Sequence, residues 1–427
     1  MMLAGTVAAE PAGARAPSLR KNVVWALGGN GVYAACQWAM LVVLAKLGSP
    51  EMIGRLSMGF AVCTPLFMLA NLQLRSTQAT DAAGEFAFGD YLRLRVCTTL
   101  GALVVLGAIV RFAGYTPETA TVILLVGIAK AFESVSDVLH GALQQRERMD
   151  GIAGSLMLKG VLGLVGLAIG VALTGEVVPG AVGVVAAFGV TLVAYDVPLV
   201  RRMLPRRVLR VGGAFDTGRA ARLAWASLPL AIVMTLTSLN LNLPRYAVGR
   251  WLGEGALGMF SAMTYLTMVG TTLMGGCFQA ASPRLARHHA DGNTNAFRSV
   301  VRRLTLVGVL VGALGVAGAL VAGRAVLAAV YRPEYGAHAD VLVWLAVVAA
   351  VQYTGGALAV AATSLRVFWR QVPIQLASVA AGAVVLAVTV PRVGLAGAAW
   401  ALLASAIVSR AGFALLLRSR PVADGSC

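Results

Sequence analysis

The stretch Thr121-Val-Ile-Leu-Leu-Val-Gly-Ile-Ala129 is apolar, and three ionisable residues, Lys130, Glu133 and Asp137, follow it at helical spacing. A charge at membrane depth is costly and persists where it faces a polar interior. About a dozen stretches of similar apolarity occur along the chain, so we predict a bundle of membrane-spanning helices with charged side chains on its inside. Such an interior is typical of a protein that moves a polar solute.

The composition of the 427-residue chain is that of a membrane protein. Hydrophobic residues make up 58% and charged residues 12%, and the mean hydropathy is +0.79, whereas soluble domains carry roughly 25% charged residues. The net charge of +17 is spread over short connections between apolar stretches and does not form one patch. This distribution indicates a multi-pass membrane protein and excludes a nucleic-acid partner.

Twelve apolar stretches are long enough to cross a bilayer, which takes about 20 helical residues each. They lie at roughly 23–47, 53–73, 92–113, 118–142, 152–174, 178–200, 223–249, 256–281, 302–323, 338–363, 372–391 and 394–417. Both termini and every second connection together hold about four times as many Arg and Lys residues as the remaining connections. Basic loops of membrane proteins stay in the cytoplasm. We therefore predict an all-α membrane protein of about 12 transmembrane helices with both termini cytoplasmic.

The two halves of the chain resemble each other. Gly48 and Gly54 flank the start of the second span, and Gly253 and Gly258 flank the start of the eighth. Transporters are commonly built from such repeats, with the substrate site between them. The predicted organisation is a flexible cytoplasmic tail at 1–20, a six-helix lobe at 21–200, a cytoplasmic basic linker at 201–222, a second six-helix lobe at 223–418 and a cytoplasmic tail at 419–427.

Lys130, Glu133, Asp137 and Gln144 lie on one face of the fourth predicted helix, because they are spaced by three, four and seven residues. This face either lines a cavity or forms ion pairs that hold helices together, and the pattern is compatible with both. An acid without a counter-charge at membrane depth tends to bind a proton. Glu133 and Asp137 are therefore candidates for coupling to protons or sodium ions, and no other cofactor is predicted.

Further polar residues interrupt the other spans. Asn242 and Arg245 share a face of the seventh span, and Pro244 between them is predicted to kink this helix as a hinge. Lys159 either enters the cavity or extends to the membrane interface, and Asp196 is expected at a solvated helix end. Candidate substrate-binding residues of the cavity are Lys46, Arg75, Lys130, Lys159, Asn242, Arg245 and Arg250. Bases outnumber acids among the embedded groups, which favours an anionic solute, and Arg suits phosphate oxygens.

No residue constellation of a hydrolase or a transferase occurs in the sequence. No Gly-rich loop ends in Lys-Ser/Thr, so ATP hydrolysis by that motif is excluded. The four histidines and five cysteines have no metal-ligand spacing, and no CxxC occurs. A polytopic glycosyltransferase or polymerase would usually have a sizeable outer loop, whereas the predicted outer loops are short. A membrane scaffold, whose embedded charges serve only in packing, is the other non-transporting alternative.

Four ordered segments carry a resemblance to a known family. They are Asn71-Leu-Gln-Leu-Arg75, Glu133-Ser-Val-Ser-Asp137, Leu243-Pro-Arg-Tyr246 and Gln279-Ala-Ala-Ser-Pro-Arg-Leu-Ala286. In order and spacing the chain resembles the Wzx-type polysaccharide biosynthesis proteins, which are flippases for lipid-linked oligosaccharides and O-antigen. Their superfamily includes the MATE exporters and the lipid II flippases. The resemblance implies a MATE-like V-shaped bundle around a central cavity, located in the bacterial cytoplasmic (inner) membrane.

The resemblance also implies a substrate and partners. The substrate would be an undecaprenyl-pyrophosphate-linked oligosaccharide, moved by alternating access for O-antigen, capsule or exopolysaccharide synthesis. Membrane lipids and the polysaccharide polymerase machinery would be the partners. Arg75, Glu133, Asp137 and Arg245 fall where the family has polar positions. The alternative is a MATE-like cation-coupled exporter of drugs or small molecules, in which carboxylates would dominate the cavity.

Overall fold

The computed structural model describes residues 19–81, 85–203, 216–365 and 367–418, and every regular element in these ranges is a helix. The first half contains α1 (Leu19–Leu47), α2 (Pro50–Asn71), α3 (Leu74–Thr80), α4 (Phe88–Phe112), α5 (Pro117–Gln144), α6 (Met149–Thr174), α7 (Val177–Thr191), a π-helical turn (Leu192–Asp196) and α8 (Val197–Met203). The second half contains α9 (Thr217–Trp251), α10 (Gly253–Leu266), α11 (Met268–Ala290), α12 (Thr294–Val330), a 3-10 helix (Pro333–His338), α13 (Ala339–Ser364), α14 (Phe368–Val393) and α15 (Leu395–Arg418).

The apolar helices confirm a multi-pass membrane protein. Within the described ranges, ten helices are long and apolar enough to cross a membrane, and the pair α10 and α11, bent by 44°, makes an eleventh. The 28-residue helix α5, which carries Lys130, Glu133 and Asp137, is not among these. Each of the twelve predicted stretches nevertheless coincides with a helix or with consecutive helical elements.

Short connections make successive long helices antiparallel. Two residues separate α1 from α2, and Leu252 alone separates α9 from α10. We call the end of the bundle at which these two connections lie the closed end, because the two halves meet there, and the opposite end the basic end. Exposed arginines of the basic end are Arg146, Arg201, Arg202, Arg219, Arg222, Arg284, Arg287, Arg298, Arg302, Arg303, Arg370 and Arg418.

One apolar core runs through both halves. It includes Leu44 on α1, Phe67 on α2, Ile123 on α5, Phe260 on α10 and Leu402 on α15. In the first half α1 packs on α6 and α6 on α7, and in the second half α12 packs on α13 and α14 on α15. Helix α2 contacts α5, α9 and α10, so it joins the two halves.

The repeated glycines lie where the halves touch. A Cβ atom on Gly54 would overlap the backbone of Glu254, and one on Gly258 would overlap the backbone carbonyl of Pro50. The start of α2 and the start of α10 therefore pack backbone to backbone, which only small residues allow. The two glycine-containing turns that suggested a repeat thus form a contact between the two halves.

The predicted division into tails, lobes and a linker stays a prediction. Helix α1 begins at Leu19, two residues inside the predicted tail, and the predicted linker at 201–222 includes the end of α8 and the start of α9. The remainder of the predicted tails and of the linker, at 1–18, 204–215 and 419–427, lies outside the described residues.

Candidate functional site

Six polar side chains from both halves gather midway along the bundle. We call them the chamber cluster: Tyr33 and Gln37 on α1, Lys130 and Glu133 on α5, Arg245 on α9 and Tyr265 on α10. The Lys130 Nζ donates to Glu133 Oε2 at 2.6 Å. Tyr265 lies within electrostatic range of both Lys130 and Arg245, so it is near polar groups of both halves.

The side chains of the chamber cluster are enclosed by protein and yet accessible. Lys130 and Glu133 keep exposed fractions of 21% and 31%, although protein atoms surround both. Tyr33, Arg245 and Tyr265 are likewise half-buried. A side chain that lies deep in the bundle and remains accessible must line a concave space. Because these accessible groups come from both halves, we infer that the cluster lines a polar chamber between them.

Arg245 is the cation of the chamber cluster that has no carboxylate partner among the described residues. Its Nη1 donates to Asn242 Oδ1 at 2.6 Å, and its Nε has no hydrogen-bond partner among the described residues. Three other embedded bases, Lys130, Lys159 and Arg95, each pair with a carboxylate. Arg245 therefore retains charge and donor capacity that can bind an anion.

The sequence around Pro244 positions this guanidinium. Proline has no backbone N–H, so the carbonyl of Asn240 loses its partner in the helix. The Asn240 side chain donates to Ser378 Oγ at 2.9 Å, which ties this part of α9 to α14. Helix α9 continues through Pro244 as far as Trp251. The role of Pro244 as a hinge stays a prediction.

Asp137 lies farther along the same face of α5, towards the basic end. Its carboxylate is 2.9 Å from the Arg95 guanidinium and 3.6 Å from that of Arg75. Arg75 also donates to Gln144 Oε1 at 2.9 Å. The predicted polar face of α5 therefore has two parts. Lys130 and Glu133 belong to the chamber cluster, whereas Asp137 pairs with Arg75 and Arg95. Arg95 is fully buried within α4.

Lys159 differs from its predicted location. Its Nζ lies 3.2 Å from Asp196 Oδ2, and both side chains are almost fully buried. The same carboxylate accepts from Ser136 Oγ at 2.6 Å and lies 3.5 Å from His140 Nε2. Lys159 pairs with buried Asp196 and also lies within electrostatic range of Glu133 in the chamber cluster. The prediction of a solvated Asp196 is wrong. The cause is the π-helical turn, which changes the helical register so that Asp196 points towards α5 and α6.

Two other candidate residues lie at the closed end. The Lys46 Nζ, at the end of α1, donates to the Ala329 carbonyl at 3.0 Å. Arg250 is exposed one residue before the end of α9 and lines a crevice there. Neither residue meets Arg245 in the chamber, so the candidate bases occupy separate places along the bundle.

An ionic cluster joins the two halves at the closed end. We call it the closed-end lock: Arg55 on α2, Glu118 and Thr119 on α5, and Glu254 on α10. Arg55 Nε donates to Glu254 Oε2 at 2.7 Å and also pairs with Glu118, while the Thr119 hydroxyl donates to Glu254. The sequence prediction missed this cluster. The sequence does contain a signal for this ion pair. Arg55 directly follows Gly54, and the oppositely charged Glu254 directly follows Gly253.

The profile of the polysaccharide biosynthesis protein family matches residues 19–289, which is more than half of the chain. The chain belongs to this family. A relative is the capsular polysaccharide biosynthesis protein CapF of Staphylococcus aureus, which is 23% identical over 327 residues, covering 76% of this chain and 80% of CapF. Membership confirms the predicted resemblance and the assignment to a polysaccharide biosynthesis membrane protein.

Solved transporters share the fold of this family member. A MATE family multidrug resistance transporter in an inward-facing conformation aligns with a TM-score of 0.76 at 14% identity, covering 94% of this chain and all of that chain. An outward-facing MATE transporter aligns at 0.66 and 13% identity, covering 95% and 96%. The lipid II flippase MurJ aligns at 0.71 and 8% identity, covering 92% and 87%. The predicted MATE-like bundle is confirmed at the level of the fold.

We expect Glu254→Gln to weaken the closed-end lock in this family member. The change removes the charge that Arg55 binds across the halves and leaves a side chain of the same shape. Spin labels at the exposed positions Phe112 and Val393, in a cysteine-free background, report the separation of α4 and α14 at this end. We expect a larger population at long distances in the variant. Unchanged distance distributions would show that the lock does not hold the halves together.

Proposed function

We propose that the protein is a flippase that moves an undecaprenyl-pyrophosphate-linked oligosaccharide across the bacterial cytoplasmic membrane by alternating access. The product serves the synthesis of O-antigen, capsule or exopolysaccharide. The observation that carries the proposal is Arg245, a half-buried cation that faces a polar chamber and has no carboxylate partner among the residues described. A guanidinium matches two phosphate oxygens at once, and its attraction strengthens where water is scarce.

The proposed topology has twelve spans with both termini in the cytoplasm. The basic end then faces the cytoplasm, in agreement with the distribution of exposed arginines. The closed-end lock faces the periplasm, so the chamber of this structure receives its substrate from the cytoplasm. Release requires the closed-end lock to open and the basic end to close.

The chamber cluster suits the proposed head group. Arg245 binds the pyrophosphate, and Tyr33, Gln37 and Tyr265 offer hydroxyl and amide groups to sugar hydroxyls. Tyrosine rings also present apolar faces on which a sugar ring can pack. The polyprenyl chain stays outside the wet chamber, because it is apolar and its burial there is not favoured.

Coupling to protons or sodium ions is assigned to Glu133 in this proposal. Glu133 lies in the chamber and pairs only with Lys130 among the described side chains, so a bound pyrophosphate competes for the same base. Asp137 is held by both Arg75 and Arg95, which makes release of its charge more costly. Glu133 is therefore the better of the two predicted coupling residues.

A deletion strain tests the proposed function against the alternative exporter. We expect loss of surface polysaccharide and accumulation of the lipid-linked oligosaccharide on the cytoplasmic side, with unchanged drug tolerance. Complementation by the wild-type chain is the control. Normal polysaccharide together with lowered drug tolerance would favour a MATE-like exporter, which the shared fold allows.

A further inference from the structure

A crevice of about 700 Å³ opens at the closed end beside the closed-end lock. It lies between the connection from α4 to α5 and the helices α9, α10 and α14. Its floor is apolar and includes Met58, Leu243, Leu257 and Leu386. Its rim is polar and includes Tyr115 and Arg250.

The crevice descends from the end of the bundle towards the middle of the bilayer. Arg250 lies one residue before the end of α9, whereas Ala383 lies ten residues before the end of α14. Ten residues correspond to about 15 Å along a helix, and half of the hydrocarbon core of a bilayer is also about 15 Å thick. A groove that is polar at the head-group level and apolar beneath it matches a lipid with a charged head and a long chain.

Arg250 is available to a phosphate group. Its side chain is exposed, and among the residues described no carboxylate lies within ion-pair distance of it. The acid in the lining, Glu254, already accepts from Arg55 and Thr119. Arg250 is therefore the base of this lining, and it has no ion-pair partner among the described residues, whereas the lining acid Glu254 shares Arg55 with Glu118.

Helix α9 carries both Arg245 and Arg250, on different sides. Arg245 and Arg250 are five residues apart, which places them about 140° apart around the helix axis. Arg245 belongs to the chamber cluster, and Arg250 lines the crevice. The crevice is also built by both halves, with Met58 on α2 and Leu386 on α14. Its width must change when the halves move relative to each other.

We propose that this crevice binds the polyprenyl phosphate portion of the substrate at the closed end, with a phosphate at Arg250 and the first isoprene units on the apolar floor. The proposal rests on the proposed flippase function. An ordinary phospholipid would match the same chemistry, but a site formed between two moving halves releases its occupant in each cycle. The carrier lipid of the substrate is therefore the occupant that the geometry favours.

Filling the crevice tests this inference. Ala383→Trp places a large ring in the crevice, and Ala377→Trp makes the same change at an exposed position of α14 that does not line it. Purified protein in proteoliposomes is given fluorescent N-acetylglucosamine on undecaprenyl pyrophosphate or on geranyl pyrophosphate, and dithionite detects the translocated probe. We expect Ala383→Trp to slow the undecaprenyl probe by about tenfold or more and the geranyl probe far less. Ala377→Trp should leave both rates unchanged.

Photo-cross-linking supplies a second measurement that needs no turnover. A benzophenone amino acid at position 383 should cross-link the undecaprenyl probe, and one at position 377 should not. An unchanged undecaprenyl rate in Ala383→Trp, an equal loss for both probes, or equal cross-linking at both positions would overturn the inference. A wild-type protein that moves neither probe would instead overturn the proposed function on which the inference rests.

Discussion

Arg245→Ala is expected to reduce surface polysaccharide by about 100-fold in a strain that depends on this protein. The variant removes the chamber cation that has no carboxylate partner among the described residues, so the pyrophosphate would enter a chamber whose other base, Lys130, is already paired with Glu133. Truncating one partner of a buried charge-assisted contact typically costs a few kcal/mol. The measurement is the amount of surface polymer per cell at matched protein levels.

Two further variants separate charge from geometry. Arg245→Lys keeps the charge but loses the planar fork that binds two phosphate oxygens, so we expect partial output. Arg287→Ala removes an exposed arginine of the basic end and should leave polymer output unchanged. If well-expressed Arg245→Ala gives wild-type amounts of polymer, the chamber cation does not bind the substrate.

Asp196→Ala is expected to destabilise the protein strongly. It leaves Lys159 as a buried cation without a counter-charge, removes the acceptor of Ser136 and removes the carboxylate that lies 3.5 Å from His140. Breaking a buried ion pair on one side costs about 3–5 kcal/mol. We expect a clearly lower melting temperature in detergent and less folded protein in the membrane, measured by thermal scanning and by size-exclusion chromatography.

The double variant Asp196→Ala with Lys159→Met distinguishes the cause of this loss. Replacing both charges by apolar groups avoids the uncompensated charge, so a large part of the stability should return. If the double variant is as unstable as Asp196→Ala alone, the buried Lys159 charge is not the reason. In that case the hydrogen bond from Ser136 to Asp196 and the contact of His140 with it would account for the loss.

The fold could be predicted because the thickness of the bilayer sets the length of each membrane-spanning helix independently of the other helices. Each apolar stretch has to be about 20 residues long, and short turns then enforce antiparallel neighbours. The polar face of α5 could also be predicted from local sequence, because the spacing of Lys130, Glu133 and Asp137 places all three on one side of the helix. The prediction could therefore identify the helix that lines the chamber without knowing the packing.

The partners of these residues could not be predicted, because they depend on packing between distant helices. Whether Lys159 faces the chamber depends on Asp196, and the orientation of Asp196 depends on a π-helical turn that has no clear sequence signal. The burial of Arg95 likewise depends on Asp137, which lies on the next long helix. Helical spacing assigns a residue to a side of its own helix, but it does not tell which helix packs there.

Translocation by the purified protein tests the central claim most directly, that a cationic chamber between the two halves carries a pyrophosphate-linked sugar. Wild-type protein and Arg245→Ala are reconstituted in parallel with undecaprenyl-pyrophosphate-linked oligosaccharide, and its appearance on the opposite side of the vesicle membrane is followed over time. We predict translocation by the wild-type protein and a rate near that of protein-free vesicles for Arg245→Ala. Equal rates for the two proteins, or no translocation by the wild-type protein, would contradict the claim.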